Sequence, residues 1–161
     1  MSEIHPDFEE FFALLNARKI RFLVIGGVAR NAYVEPRFTR DIDIWIEPLR
    51  ANCERLLEAL HEFGFPAEQI DIDELLTLPK VIFLGVAPWR IDLLTRPSGL
   101  EFNGCWHRRT AGNYGRAAVS YLGMDDLITG KRAAGRMRDL ADVADLERAR
   151  ERWGDDDFEE R

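Results

Sequence analysis

The sequence has few of the residues on which several common kinds of site depend. It contains two cysteines, Cys53 and Cys105, which are too few for a disulfide framework and form no Cys-x-x-Cys pair. Its three histidines lack the spacing of metal ligands, and its three serines include no Gly-x-Ser-x-Gly motif. These shortages argue against a disulfide-stapled fold, a histidine–cysteine metal site and a serine-hydrolase site.

Long apolar runs, internal repeats and low-complexity linkers are also absent from the sequence. No stretch approaches the roughly 20 consecutive apolar residues of a membrane-spanning helix. The acidic N-terminal residues contain no apolar core of a signal peptide. We therefore expect a cytoplasmic protein that does not contact a membrane.

The composition is that of a globular protein. Of its 161 residues, 46% are hydrophobic and 11% aromatic, and a chain of this size buries about 70% of its unfolded surface around one core. Acidic residues outnumber basic ones by 29 to 22, which gives a net charge of −7. This charge argues weakly against a general nucleic-acid coat, although it does not exclude a local basic patch.

The order of the predicted elements favours an α/β (α+β) fold, with helices packed on a mixed β-sheet and a helical C-terminal segment. We predict one domain over residues 1–161, with a core to about 123, helices over about 124–153 and a solvated acidic tail at 154–161. Predicted strands lie at 22–25, 41–46, 81–84, 91–94 and 118–122. Predicted helices lie at 8–18, 29–32, 49–63, 68–77, 124–135 and 138–153. Residues 96–115, rich in Gly, Arg and Asn, are predicted to form a loop with little regular structure.

Two aspartates lie two positions apart on the strand predicted at 41–46. Because side chains alternate along a strand, Asp41 and Asp43 share one face, with Cα atoms about 6–7 Å apart. A divalent cation such as Mg²⁺ would relieve the repulsion between two such carboxylates. The alternative is an edge strand whose polar face meets water, and for an isolated Asp-x-Asp we favour that alternative.

The same tripeptide recurs at Asp71-Ile72-Asp73, so the tripeptide alone is not diagnostic. This second copy runs into Glu74 and two leucines, which is typical of a helix that begins with acidic residues in its first turn. No glycine-rich segment lies close before it. We expect a helix start there and no metal.

A glycine turn precedes the first aspartate pair and distinguishes it from the second. The apolar run 22–25 breaks into Gly26-Gly27 before a short helix, where glycines let a ligand approach the backbone and free N–H groups face an anion. The segment matches neither the P-loop nor the Gly-x-Gly-x-x-Gly motif. Thr39 and Arg40 stand immediately before Asp41, where they would either contact a triphosphate or neutralise the acids.

A third candidate acid is Asp92, which interrupts an otherwise apolar strand. An unpaired carboxylate in such a strand is costly. A salt bridge to a neighbour such as Arg90 and a functional role both stay open at this point.

In combination, these segments resemble the polymerase-β-like nucleotidyltransferase superfamily. The resemblance rests on the strand that ends in Gly-Gly, the following helix, the Arg-x-Thr-Arg-Asp-Ile-Asp-Ile segment and a later Asp on a strand. In that superfamily the three acids bind two Mg²⁺ ions, and the glycine turn holds the NTP. The resemblance therefore implies that Asp41, Asp43 and Asp92 are catalytic metal ligands, and that Gly26 and Gly27 bind nucleotide.

The C-terminal segment looks closest to small bacterial members of the superfamily, including abortive-infection toxins. Those carry a Lys, an Arg, an Arg-Asp pair and a further Asp, matched here by Lys131, Arg136, Arg138-Asp139 and Asp142. Lys131 shares the inward face of its helix, so it needs either a bound phosphate or an internal acid as its partner. We favour an internal brace for Asp142, leave Lys131 open, and count Lys131 among the nucleotide-binding candidates.

The glycine turn departs from the pattern of many superfamily members. Gly26-Gly27 stands where they have Gly-Ser, so a hydroxyl contact to phosphate is missing. The Gly-Gly-x-x-Arg form resembles the turn of tRNA CCA-adding enzymes and makes Arg30 a nucleotide-binding candidate. Those enzymes are much longer and have additional RNA-binding domains, so the resemblance transfers the chemistry and not the CCA-adding role.

The resemblance implies an Mg²⁺-dependent enzyme that moves an NMP from an NTP, such as ATP, to a hydroxyl of RNA, protein or a small molecule. For toxin-type relatives, the implied acceptor is tRNA or protein and the implied partner is an antitoxin protein. An inactive relative that binds nucleotide or a partner protein is the main alternative, and a metal phosphohydrolase is a weaker one.

A cluster of arginines and aromatics bears on the acceptor. Arg108, Arg109 and Arg116 are interleaved with Trp106 and Tyr114, a combination that binds single-stranded RNA in other proteins. We favour an ordinary loop whose aromatic side chains pack on the core.

Overall fold

Six strands form one mixed sheet in the computed structural model, which describes residues 4–85 and 89–159. The strands are β1 (Phe22–Ile25), β2 (Asp41–Ile46), β3 (Val81–Leu84), β4 (Arg90–Leu94), β5 (Thr110–Tyr114) and β6 (Ala117–Tyr121). Their order across the sheet is β3-β4-β2-β1-β6-β5. The β1–β6 and β2–β4 pairs are parallel, and the other three are antiparallel.

Seven helices flank or follow the strands within the described residues. They are α1 (Pro6–Ala17), α2 (Gly26–Asn31), α3 (Arg50–Phe63), α4 (Ile72–Thr77), α5 (Phe102–His107), α6 (Met124–Ala134) and α7 (Met137–Glu159). A single 3-10 turn, Ala67–Gln69, precedes α4. Among these described helices, none combines the length and the apolar character needed to cross a membrane.

The core forms where the predicted apolar stripes of the helices meet the sheet. Helix α1 buries Phe11 and Phe12 completely, and α3 buries Leu60 in the same core. Each such side chain contributes about 1.5–3 kcal/mol when it leaves water. Helix α3 ends where Gly64 adopts a φ of 98°, a left-handed conformation that glycine reaches without steric cost. The predicted α/β fold, with a mixed sheet and C-terminal helices, is confirmed.

The prediction of an irregular loop over 96–115 is wrong, because this stretch contains α5 and β5. The Glu101 side chain caps α5 by accepting hydrogen bonds from the backbone N–H groups of Asn103 and Gly104. Strand β5 is fixed by antiparallel pairing with β6 and by the buried side chain of Tyr114. Tertiary pairing therefore overrides the low strand propensity of its glycine and asparagine.

Helix α7 is also longer than predicted. It continues to Glu159, through most of the stretch that we expected to be an acidic tail. Residues 160 and 161 of that predicted tail lie outside the described residues.

Candidate active site

A cavity of about 870 Å³ lies over one face of the sheet, beside helices α6 and α7. All the predicted site residues except Arg30 line it: Gly26, Gly27, Thr39, Arg40, Asp41, Asp43, Asp92 and Lys131. The volume is within the range of cavities that bind small ligands and cofactors. The structure thus gathers residues from β2, β4, α2 and α6 around one space.

The parallel pairing of β2 with β4 brings two of the predicted acids side by side. Asp43 is the register partner of Asp92, and Asp41 is the register partner of Arg90. Asp92 is only 7% exposed. Burial, followed by the charges of Asp92 and Asp41 and a hydrogen bond with Asp92, raises the pKa of Asp43 to about 6. Two crowded carboxylates of this kind favour either a shared proton or a bound cation.

The glycine turn lies directly against Asp43, one member of this pair. Gly26 has a φ of +69°, and a Cβ atom at this position would lie 2.1 Å from Asp43 Oδ2. Only glycine fits such a close approach of backbone to carboxylate. The sequence predicted a turn followed by a helix, whereas Gly26 and Gly27 are themselves the first residues of α2.

Arg90 forms a salt bridge with Asp92, which was one of the two alternatives for this aspartate in the sequence analysis. Its Nε lies 2.7 Å from Asp92 Oδ1, and a terminal nitrogen lies 3.0 Å from Asp92 Oδ2. The same guanidinium lies 3.7 Å from Asp41 Oδ2. Asp92 therefore forms an internal ion pair and lines the cavity at the same time.

In the absence of a ligand, the carboxylates of Asp41, Asp43 and Asp92 form only part of an Mg²⁺ site. Within residues 4–85 and 89–159, no three His, Cys, Asp or Glu side chains are gathered in a way that could hold a metal ion. Asp43 and Asp92 are nevertheless adjacent, and Mg²⁺ commonly uses one or two carboxylates together with water and substrate phosphates. Asp41 would complete the set once its contact with Arg90 is released.

The competition between Arg90 and a cation can be measured. We expect Arg90→Gln to tighten Mn²⁺ binding about two- to fivefold, because a partly exposed ion pair is worth at most about 1 kcal/mol. Titration followed by electron paramagnetic resonance reports free Mn²⁺ directly. The matched control is Arg50→Gln, which releases Asp73 of the second Asp-Ile-Asp tripeptide and should change nothing. Weaker Mn²⁺ binding by Arg90→Gln would contradict the prediction.

The raised pKa of Asp43 predicts a pH-dependent stability of the metal-free protein. Between pH 3.8, the usual value for this carboxyl, and about 6, the native state binds more protons than the unfolded state. The free energy of unfolding should therefore fall as the pH rises from about 4 to about 6, by about 2–3 kcal/mol from this group.

Urea unfolding in EDTA at several pH values checks this slope. Asp43→Asn should remove most of it, because the amide does not titrate. Asp139 and Asp142 have lowered pKa values, so their contributions are lost only at more acidic pH. An unchanged slope in Asp43→Asn would assign the proton to another group.

Asp142 is a buried carboxylate beside the cavity that contacts three cations, of which Lys131 and Arg30 are buried and Arg37 is exposed. Asp142 is 2% exposed, and its carboxylate lies 2.8 Å from Lys131 Nζ, 2.9 Å from Arg37 and 3.3 Å from Arg30 Nε. Burial acts to raise the pKa of Asp142, but hydrogen bonds from Lys131 and Arg37 hold it below its usual value. The internal brace that we favoured for Asp142 is confirmed.

Two of the nucleotide-binding candidates, Lys131 and Arg30, are held by ion pairs with Asp142. Lys131 pairs with Asp142 and also lines the cavity, so the internal acid and a phosphate are both within its reach. Arg30 is buried, and its guanidinium contacts Asp142, Asp145 and the carbonyl of Glu35. The structure therefore places Arg30 behind the cavity wall, where it ties α2 to α7.

The second Asp-Ile-Asp tripeptide forms the predicted helix start. Asp71 caps α4 by accepting hydrogen bonds from the backbone N–H groups of Asp73 and Glu74. Asp73 pairs with Arg50 on the surface. Identical tripeptides thus have different roles because only one of them lies on a strand beside the glycine turn.

The aromatic and arginine cluster packs as an ordinary part of the fold. Tyr114 is buried with its ring 5.3 Å from that of Phe12. Trp106 stacks on Phe102, and Arg108 forms an ion pair with Asp126 at 2.8 Å. The favoured interpretation of this cluster agrees with the structure, although the segment is regular rather than a loop.

Several residues that line the cavity were not predicted from the sequence, and three of them bear on the site. Val81 and Phe83 line the cavity from β3, and Arg96 lines it after β4. An exposed apolar residue on a short strand is common at any sheet edge. The sequence showed only a continuous apolar run over 81–84, which did not indicate which of its side chains face a cavity.

Neither a protein-family model nor a curated protein matches the sequence. Solved structures do resemble it, including that of the lincosamide antibiotic adenylyltransferase LnuA with lincomycin bound. That match has a TM-score of 0.60 and 15% identity, and it covers 89% of this chain and 97% of that chain. The fold is that of nucleotidyltransferase structures.

A second similar structure is an antigenic nucleotidyltransferase-like protein from Paracoccidioides brasiliensis. It matches with a TM-score of 0.51 and 14% identity, over 86% of this chain and 72% of that chain. At these identities, the nucleotidyltransferase likeness concerns the sheet, the flanking helices and the C-terminal helices.

Proposed function

We propose that the protein is a metal-dependent nucleotidyltransferase that moves an NMP from an NTP to a hydroxyl group. The observation that carries the proposal is the adjacent pair of Asp43 and Asp92 inside the cavity, with Asp43 packed directly against Gly26. A polyphosphate that entered at the glycine turn would meet carboxylates suited to Mg²⁺ at once. The nucleotidyltransferase-like fold supports the same chemistry.

In this proposal, Asp41, Asp43 and Asp92 would hold two Mg²⁺ ions, which would supply neutralisation of phosphate charge and a lower pKa for the acceptor hydroxyl. Asp92 accepts the hydroxyl proton. The acceptor oxygen then bonds to the α-phosphorus as the bond to the bridging oxygen of the β-phosphate breaks, and pyrophosphate leaves.

The other cavity residues hold the triphosphate. The backbone at Gly26 and Gly27 allows the phosphates to approach closely. Thr39 and Arg40 offer a hydroxyl and a cation, and Lys131 neutralises charge on the departing phosphates. Arg30 acts indirectly, because its ion pairs fix α2 against α7.

The proposal has two versions, which differ in the identity of the acceptor. LnuA is an antibiotic adenylyltransferase, and the match covers 97% of its chain, which supports a small-molecule acceptor. A toxin that modifies tRNA or protein and is neutralised by an antitoxin protein is the other version. The small-molecule version takes precedence because the structural likeness is to LnuA.

Incubation of the purified protein with Mg²⁺ and each α-³²P-labelled NTP tests the proposal. The acceptors should include a metabolite extract, tRNA and whole-cell protein. We expect a labelled product together with pyrophosphate. Labelled inorganic phosphate from a γ-labelled NTP without any labelled acceptor would instead identify a hydrolase.

The alternative of an inactive nucleotide-binding relative also has a specific observation in its favour. Arg90 lies between Asp41 and Asp92, where an active enzyme would need a cation. This alternative predicts NTP binding that does not depend on Mg²⁺, and no transfer to any acceptor. Calorimetric titration of an NTP with and without Mg²⁺ separates it from the enzyme.

A further inference from the structure

The cavity has two halves of different chemistry, one on each side of the Asp43–Asp92 pair. Strands β1 and β3 flank β2 and β4 on opposite sides, so the glycine turn at the end of β1 and the wall formed by β3 face each other across the acids. The half beside the glycine turn is lined by cations and by the acids that pair with them: Arg37, Arg40, Lys131 and Arg136 with Asp139 and Asp142. The half over β3 is lined mainly by apolar side chains: Pro79, Val81, Phe83 and Leu94.

Phe83 is the most prominent side chain of the apolar half. It is 60% exposed and is the register partner of Asp92 on the neighbouring strand, so the two side chains emerge on the same face about 5 Å apart at Cβ. Val81 lies two positions earlier on this face and is 40% exposed. Uncovered apolar side chains that line a cavity commonly mark a ligand-binding surface.

The two arginines of the apolar half are already engaged within the protein. Arg90 is bound to Asp92, and its guanidinium carbon lies 4.5 Å from the centre of the Phe83 ring. Arg96 donates two hydrogen bonds to the carbonyl oxygen of Leu76, at 3.0 and 2.6 Å. The charge of Arg90 is offset by Asp92, whereas Arg96 keeps its charge because a carbonyl oxygen is neutral. The exposed side chains nearest to Asp92 are apolar, so the surface beside this carboxylate suits an uncharged ligand better than a polyanion such as RNA.

We propose that the β3–β4 half of the cavity is the acceptor subsite, and that the acceptor is a small, uncharged hydroxyl compound with a planar or apolar part. The planar part packs on Phe83 and Val81, which places a neighbouring hydroxyl at Asp92. This inference rests on the proposed function. It narrows the acceptor from RNA, protein or a small molecule to a small molecule.

Calorimetric titration without nucleotide tests the subsite by itself. The probes are para-nitrophenyl β-glucoside and methyl β-glucoside, which carry the same hydroxyls and differ in the planar group. We expect the aryl glucoside to bind about tenfold more tightly or better. Phe83→Ala should remove most of this preference, and Phe83→Trp should restore it. Leu78 is an exposed residue near β3. Leu78→Ala is the control, and it should keep the preference for the aryl glucoside.

Three outcomes would overturn the subsite. The first is equal binding of the two glucosides, and the second is a preference that survives in Phe83→Ala. The third is no binding of either glucoside at about 10 mM, a concentration that exceeds the range of weak specific ligands. Binding of a short single-stranded RNA that depends on Phe83 would overturn the small-molecule class. Because the titrations contain no NTP, they are independent of the label-transfer assay. Failed transfer with an intact aryl preference would refute the catalysis and leave the subsite standing.

Discussion

Asp43→Asn is expected to reduce nucleotide transfer by at least about 10²–10³-fold, the loss typical of removing one group that stabilises transition-state charge. The substitution keeps the shape of the side chain against Gly26 but removes the charge that a cation would need. It also removes the carboxyl whose raised pKa marks the crowded pair. The measurement is the initial rate of label transfer at saturating Mg²⁺.

The chain provides a matched control for this experiment in its second Asp-Ile-Asp tripeptide. Asp73→Asn changes the same residue type in the same local sequence, but on the surface at the start of α4. We expect its transfer rate to equal that of the unmodified protein. Equal rates for Asp43→Asn and the unmodified protein would refute the metal-dependent mechanism.

Asp142→Asn is expected to destabilise the fold by about 3–5 kcal/mol, because removing one partner of a buried ion pair leaves its counter-charges uncompensated. Lys131 and Arg30 are both buried and both depend on this carboxylate. For a chain of this length the loss corresponds to a fall in Tm of about 10 °C. Thermal unfolding followed by circular dichroism measures it.

A surface ion pair between the same two helices is the control. Asp125 of α6 pairs with Arg150 in the second half of α7, and both side chains are at least half exposed. Asp125→Asn should change the free energy of unfolding by less than about 1 kcal/mol. If both substitutions had equally small effects, the cluster at Asp142 would not be a structural brace.

The parts of the fold that could be predicted from the sequence are those with strong local patterns. The strict alternation of β2 and the apolar run of β1 fixed two central strands, and the glycine pair indicated where a ligand would approach. Asp41 and Asp43 were placed on the cavity face because a strand has only two faces.

The remaining features depend on contacts between residues far apart in the sequence. Arg30 looked like a nucleotide-binding residue until α7 was seen to bring Asp142 and Asp145 against it. Strand β5 needs β6 as its partner, since its own glycine and asparagine disfavour a strand. The position of Phe83 also depends on distant contacts, because the pairing of edge strand β3 with β4 places this side chain beside Asp92.

The parallel pairing of β2 with β4 also has a consequence for how the protein acquires its site. The two strands are joined by a long crossover that contains α3, α4 and the edge strand β3, so they pair only after that whole segment has closed. Closing such a loop costs entropy before any contact compensates for it, which makes non-local pairing slow. We therefore expect Asp43 and Asp92 to meet late in folding, so that a nascent or partly unfolded chain would lack the cation site that we propose between them.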